Sequence, residues 1–317
     1  MLDALYACSE DWLRYAIRIN LLHAKKEDHG ELLRSALKDA KIQRALNDVA
    51  SFHETVVSNH KNPLLPIQRL LFLLDLGFGI DIPEIKCAIA AILSHKDANG
   101  VYQSKTNIPI AYGGTGEDSF GWCLCDAPNL LLALRKAGVS YEEHIKPGVD
   151  YLASLWRENG FPCAVSPEHG KFRGPGKKDD CCPYATLIMA DLLSEIPEYQ
   201  SSPILKAAAD SLLNLWETSQ EQHPYMFYMG TDFRKLKSPS CWYDILGVAG
   251  VLSKLSFVRG DPRFLEIVNL IKSKQRDDGF FVPESIYMKL SEWDFGQKKN
   301  VSPYLTYICL RVFDKLG

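Results

Sequence analysis

Four stretches of this chain begin with a small polar or thiol residue and continue as an almost wholly apolar helical run. They are Cys125-Asp-Ala-Pro-Asn-Leu-Leu-Leu-Ala-Leu, Cys182-Pro-Tyr-Ala-Thr-Leu-Ile-Met-Ala-Asp, Cys241-Trp-Tyr-Asp-Ile-Leu-Gly-Val-Ala-Gly and Ser302-Pro-Tyr-Leu-Thr-Tyr-Ile-Cys-Leu-Arg. Their starts lie 57, 59 and 61 residues apart. A weaker copy without the polar start runs from Leu64 to Leu76 and ends at Gly77. Amphipathic helical patterns lie between the copies: Pro83 to His95, Tyr141 to Glu158, Ser202 to Gln220 and Pro262 to Lys274. Several close on a turn that sets Gly beside an acid or amide and then an aromatic residue or Val, as in Asp97-Ala-Asn-Gly-Val-Tyr, Glu158-Asn-Gly-Phe and Asp277-Asp-Gly-Phe-Phe. Self-similarity at this period implies stacked supersecondary units, none of which buries its apolar face alone. Helices that are apolar all round must be covered on most sides, and amphipathic ones need cover on one face. The expected fold is therefore all-α: an α/α toroid of about five to six helical hairpins, with the apolar helices as the inner ring.

Three further helical patterns, Asp11 to Ala24, Gly30 to Asp39 and Ile42 to Ser58, precede the repeats. Residues 1–317 are expected to form one toroid domain, with 1–60 completing or capping the ring. His23, His29, His53 and His60 are scattered here and read as solvated or core-edge side chains.

With 46% hydrophobic residues the chain can bury a large core. A formal net charge of −3 argues against nucleic acid or an anionic membrane surface as main partner, so any anion site must be local. Nine cysteines, an odd number without a disulfide framework, suit a reducing compartment, where clustered thiols more often mean metal or catalysis. Met1 to Glu10 has neither the basic region nor the apolar core of a signal peptide, and no run approaches the roughly 18 apolar residues of a membrane helix. The expected setting is cytoplasmic.

The densest polar chemistry is Phe172 to Thr186, which places Arg173, Lys177, Lys178, Asp179, Asp180, Cys181 and Cys182 at the entrance of an apolar helix. Thiolate, imidazole and carboxylate form the usual zinc shell. Cations beside a helix N-terminus suit an anion such as phosphate. In a ring of parallel inner helices, Cys125, Cys182, Cys241 and Ser302 would gather at one mouth. Small residues needed there for packing would give the same pattern.

These features resemble the terpenoid cyclase and protein prenyltransferase superfamily, nearest to the prenyltransferase β subunit, over about residues 63–317. Gln275-Arg-Asp-Asp-Gly-Phe-Phe is similar to the Gln-and-aromatic turns of squalene cyclases, and is followed by Trp293-Asp-Phe-Gly and Ser302-Pro-Tyr-Leu-Thr. Prenyltransferase β subunits place an Arg and a Lys before Asp-X-Cys, the cations holding diphosphate and the Asp and Cys binding zinc. Arg173, Lys177 and Asp180-Cys181-Cys182 fall in that order, with Arg173 displaced by one residue. Aligned on Ile245-Leu246-Gly247, the family's third ligand, a His, is Cys241 here. Cys123 stands where the family has a diphosphate-binding His, and Cys125 is a candidate fourth ligand. The Asp-X-Asp-Asp acid of squalene cyclases has no counterpart. Trp122-Cys123 is also reminiscent of lanthionine cyclases, whose Cys-His pair is missing.

The resemblance implies a Zn²⁺ enzyme acting on a small-molecule, isoprenoid-type substrate. Asp180, Cys182 and Cys241 would hold the metal, with or without Cys125. Arg173, Lys177 and Lys178 would hold an anionic group, and Trp122, Cys123, Tyr184, Trp242, Tyr243 and Tyr304 would line a pocket. Three protein ligands would leave an open, catalytic position, and four would make a structural site in a binding toroid. The family works with a separate α subunit, for which this chain shows no substitute. Ala111-Tyr-Gly-Gly-Thr-Gly lacks a P-loop ending and reads as a flexible loop, and His169 as a plain loop residue.

Overall fold

A computed structural model describes residues 1–172, 174, 177–224 and 227–316 of the chain. The helices in order are α1 (Leu2–Cys8), α2 (Asp11–Asn20), α3 (Gly30–Ala36), α4 (Ala40–Ala50), α5 (Pro66–Asp75) and α6 (Pro83–Leu93). A short antiparallel hairpin follows, β1 (Ser104–Asn107) and β2 (Asp118–Gly121). Then come α7 (Ala127–Lys136), α8 (Lys146–Ser154), α9 (Pro183–Ser194), α10 (Pro203–Glu217), α11 (Thr231–Arg234), α12 (Ile245–Ser253), α13 (Pro262–Lys272) and α14 (Pro303–Asp314). Proline opens α5, α9 and α14, where its missing N–H would lack an intrahelical partner anyway.

Burial sorts these helices into two rings. In α9 every residue except Asp191 is buried, whereas α4 buries only Ile42, Ala45, Leu46 and Val49 along one stripe. The inner helices follow one another around the ring: α5 packs on α7, α7 on α9, α9 on α12 and α12 on α14. Outside them, α4 packs on α5, α6 and α8 pack on α7, α10 packs on α9, and α13 packs on α12. This is the α/α toroid expected from the repeat, in five outer–inner hairpins.

The seam between the last and first inner helices is closed by aromatic side chains. Phe72 of α5 and Tyr304 of α14 meet edge-on at 5.5 Å. Trp12 of α2 lies 6.3 Å from Phe72 and 5.8 Å from Tyr304, and Trp293 packs edge-on against both Trp12 and Phe72. Nearby, the Asn20 amide donates to the Asp75 carbonyl and the Tyr307 hydroxyl, tying the same two helices together. No helix among the described residues is long and apolar enough to cross a membrane.

The Gly–aromatic turns bind the repeats internally. The Phe161 N–H donates to Thr186 Oγ1 at 2.9 Å while its carbonyl accepts from the Cys182 N–H at 2.7 Å. Phe281 makes the same pair with Thr306 Oγ1 at 3.0 Å and the Ser302 N–H at 2.8 Å. Each turn thereby fixes the start of its inner helix.

Two sequence expectations are corrected. The third N-terminal helix ends at Ala50, not near Ser58. Beyond a short 3₁₀ turn, Thr55, Val56 and Val57 favour extended backbone, and the Val57 N–H finds the Lys105 carbonyl at 2.7 Å. The helix-start register also shifts: the residues that cap α7, α9, α12 and α14 are Asp126, Cys182, Asp244 and Ser302. Cys125 and Cys241 therefore stand ahead of their helices, and Cys241 is three residues upstream of its cap.

Thr186→Val removes the acceptor of the buried Phe161 N–H with little change of shape. It should destabilise the protein by about 1–3 kcal/mol, read as a lower urea midpoint at unchanged m-value, and Thr306→Val should do the same.

Candidate metal centre and central cavity

Two parts of the molecule concentrate chemistry: a cluster of soft donors where the chain enters α7, and a cavity along the ring axis.

The cluster is assembled by extended segments. Val57 lies beside Thr106 of β1, β1 pairs with β2, and β2 runs straight into Trp122-Cys123-Leu124-Cys125. On the other side, the Leu124 N–H donates to the Ala164 carbonyl at 2.8 Å, and the Ser166 N–H to the Trp122 carbonyl at 2.8 Å. The segment carrying His60 is thus fixed beside the two thiols through β1. Ligand atoms of His60, Cys123 and Cys125 all lie within 4.8 Å of one another, the one such group of three found among the described residues.

Cys125 Sγ is 3.4 Å from His60 Nε2. Zinc bonds of about 2.3 Å to sulfur and about 2.0 Å to imidazole nitrogen give a tetrahedral N···S edge near ~3.5 Å. That edge and the chemistry of the three donors therefore fit zinc. Asp126 supports both halves of the cluster: Oδ1 accepts the Cys123 N–H at 3.1 Å, while Oδ2 is buried with no hydrogen bond among the described residues, 3.5 Å from His60 Nε2. Burial opposes a charged His60, but Cys125 and Asp126 outweigh it and hold its pKa well above the ordinary imidazole value. The hydrogen bond with Cys123, together with burial, holds the Cys125 thiol well above the ordinary thiol range.

The other sequence candidates are distributed differently. Asp180, Cys182 and Cys241 do not bring three ligand atoms within 4.8 Å of one another. Asp180 accepts the Lys177 N–H at 2.8 Å. Cys182 caps α9, its thiol pushed up by burial first and by the nearby Cys163 and Cys125 thiols. Cys241 lies in the cavity wall, its thiol pushed up to about 12 mainly by burial. Lys177 and Lys178 are exposed, and Arg173 lies outside the described residues.

The cavity is partly open to solvent and measures about 240 Å³. Of the aromatic candidates, Tyr184, Trp242 and Tyr304 line it. Trp242 stacks on Tyr184 at 4.1 Å and carries the Lys61 ammonium 5.0 Å from its ring centre. The Tyr184 hydroxyl accepts from the Gln68 and Asn129 amides, both at 3.4 Å. The other two have core roles. Trp122 is buried, donating to Asp97 and packing edge-on against Tyr151. Tyr243 is buried against Phe227 and Phe233.

His60 escaped sequence reasoning because a lone His among polar residues has no motif around it. The β-branched Thr55-Val56-Val57 run was the available signal, since it breaks the helical pattern.

Asp244 is a buried acid beside this cavity. Its Oδ1 accepts from the Gly247 N–H and the Ser240 hydroxyl, both at 2.9 Å, and its Oδ2 has no donor among the described residues. Burial raises its pKa from 3.8 to about 6. The folded state therefore holds a proton that the unfolded state has lost, and stability falls as pH rises from about 4 to about 6, by up to about 3 kcal/mol. Asp244→Asn keeps the acceptor and removes the titration. Its stability relative to the native protein should rise between pH 4 and pH 7, measured by urea denaturation at both.

No protein-family model matches this chain, and neither does any curated protein. Solved structures similar to it include the type II terpene cyclase MstE from Scytonema without ligand, 13% identical over 96% of this chain and 86% of that one, with a TM-score of 0.44. A variant of MstE in complex with geranylgeranyl dihydroxybenzoate is 13% identical over 96% and 87%, with a TM-score of 0.45. A protein from Actinoplanes is 13% identical over 97% and 90%, with a TM-score of 0.44.

Proposed function

We propose that the protein is a zinc-dependent enzyme of the terpenoid cyclase and prenyltransferase type. The metal is held by His60, Cys123 and Cys125, and the substrate is a small amphipathic, isoprenoid-type molecule taken into the central cavity. The observation that carries this reading is the convergence of one imidazole and two thiols, with spacing that suits a tetrahedral ion, on the segment leading into a cavity-lining helix. Zinc in such a shell lowers the pKa of a bound thiol or water and supplies a nucleophile at neutral pH.

The chain's own residues do the remaining work. Asp126 orients the cluster by holding the Cys123 backbone and facing His60. One turn on, Asn129 holds the Tyr184 hydroxyl at the cavity wall. Leu71, Leu132, Leu187, Ile188, Leu246 and Ile308 give the cavity an apolar middle for a hydrocarbon body. At about 240 Å³ it suits a short chain, below the ~300–1,000 Å³ of drug-sized pockets.

A second reading, a closed structural zinc in a binding toroid, is favoured by Cys182, whose thiol is near enough to interact electrostatically with Cys125. The three clustered donors also stand outside the cavity lining.

Protein purified without chelator should contain about one zinc per chain, and Cys123→Ala, Cys125→Ala or His60→Ala should each lose most of it, measured by elemental analysis. Metal-free native protein sinks both readings. X-ray absorption separates them: two sulfurs with a nitrogen and an oxygen mean an open site, and three sulfurs that fall to two in Cys182→Ala mean a closed one.

A further inference from the structure

The inner helices run parallel, so their C-terminal ends gather at the end of the cavity away from Tyr184 and Trp242, and each delivers charge there. Lys136 of α7 pairs with Asp75 of α5 at 2.7 Å. Lys254, just after α12, pairs with Asp191 of α9 at 2.5 Å and with Glu195, just after α9, at 2.6 Å. These pairs use three carboxylates and two lysines.

Two more cations line the same end, Arg311 on α14 and Lys315 one turn further. Among the described residues neither has a carboxylate within 4.0 Å. The Arg311 guanidinium lies over the Tyr307 ring at 5.6 Å and feels Asp75 at longer range.

We propose that this end of the cavity is an anion subsite, in which Arg311 and Lys315 hold the carboxylate or phosphate of an amphipathic ligand whose apolar body lies along Leu132, Ile188, Leu246 and Ile308. This rests on reading the cavity as the ligand chamber. It places the anion at the opposite end of the ring from Lys177 and Lys178, two of the cations expected from sequence, which precede α9.

The obvious competing account is that cations simply complement helix C-termini, worth about 0.3–1 kcal/mol each. That accounts for Lys136 and Lys254, which also have acid partners. Arg311 and Lys315 also stand at a helix C-terminus, but they line the cavity with no carboxylate within 4.0 Å among the described residues. Burial, with Lys254 and Arg311 as neighbours, lowers the Lys315 pKa to about 8 against the opposing pull of Glu195 and Asp191. Four cations, Lys136, Lys254, Arg311 and Lys315, thus face three carboxylates, Asp75, Asp191 and Glu195, at this end of the cavity.

The test uses the full chain with decanoate, decyl phosphate and decanol as probes, by calorimetry. Both anionic probes should bind at least about tenfold more tightly than decanol. Arg311→Gln with Lys315→Gln should remove that advantage and leave decanol binding unchanged. Equal binding of decanol and decanoate, or anion binding that survives both substitutions, overturns the proposal.

A measurement on the native protein guards against variants that fail to fold. At pH 8 Lys315 should react with an amine reagent faster than exposed lysines, read by mass spectrometry, and decanoate should protect it. Absence of protection overturns the proposal. Zinc content is a separate readout: a protein that holds zinc but binds neither anionic probe loses this inference and keeps the metal centre.

Discussion

The structure depends on helices that cannot be left in water on any side. With all of α9 buried except Asp191, and α12 buried except for two glycines, a single layer of packing is insufficient. A closed ring meets that demand because each inner helix gains two inner neighbours and an outer one. The last contact is made by aromatic rings: Phe72 and Tyr304 bridge α5 and α14, with Trp12 and Trp293 wedged alongside. Large flat side chains suit this seam because they fill the irregular gap left where the first and last repeats meet.

Closure confines polar chemistry to the two ends of the inner helices. At the N-terminal end the chain must turn from loop into helix, and the backbone there needs acceptors. Ser302 and Asp244 serve in this way, and the Phe161 and Phe281 turns add backbone bonds. Asp126 instead turns its carboxylate toward the Cys123 backbone and His60, and so becomes part of the donor cluster. At the C-terminal end, Lys136 and Lys254 answer the carbonyl dipoles and the acids of neighbouring helices at once.

The inner and outer rings were legible because burial writes a period into sequence. A helix covered all round shows an unbroken apolar run, and one covered on a single face shows a stripe. The repeat therefore displayed α7, α9, α12 and α14 before any coordinate was known. The donor cluster was half legible. Trp122-Cys123-Leu124-Cys125 stood out by its thiols, but His60 lies more than 60 residues upstream and comes into reach through Val57 and the strand pairing of β1 with β2. Strand pairing of such short segments is set by which backbone edges are left free, which periodicity does not record.

The sequence by itself determined the ring, since hydrophobic periodicity is a local record of how many sides of each helix are covered. It also determined that thiols and charges would collect near helix ends. Tertiary structure alone decided which of them meet. Cys241 slipped into the cavity wall because α12 is capped by Asp244, three residues later than the repeat suggested. Cys125 found His60 through a β-bridge, and Arg311 and Lys315 came to line the cavity with no carboxylate within 4.0 Å among the described residues, the nearby acids pairing with Lys136 and Lys254. Such meetings depend on distances of a few ångströms between segments far apart in the chain, and no local pattern encodes them.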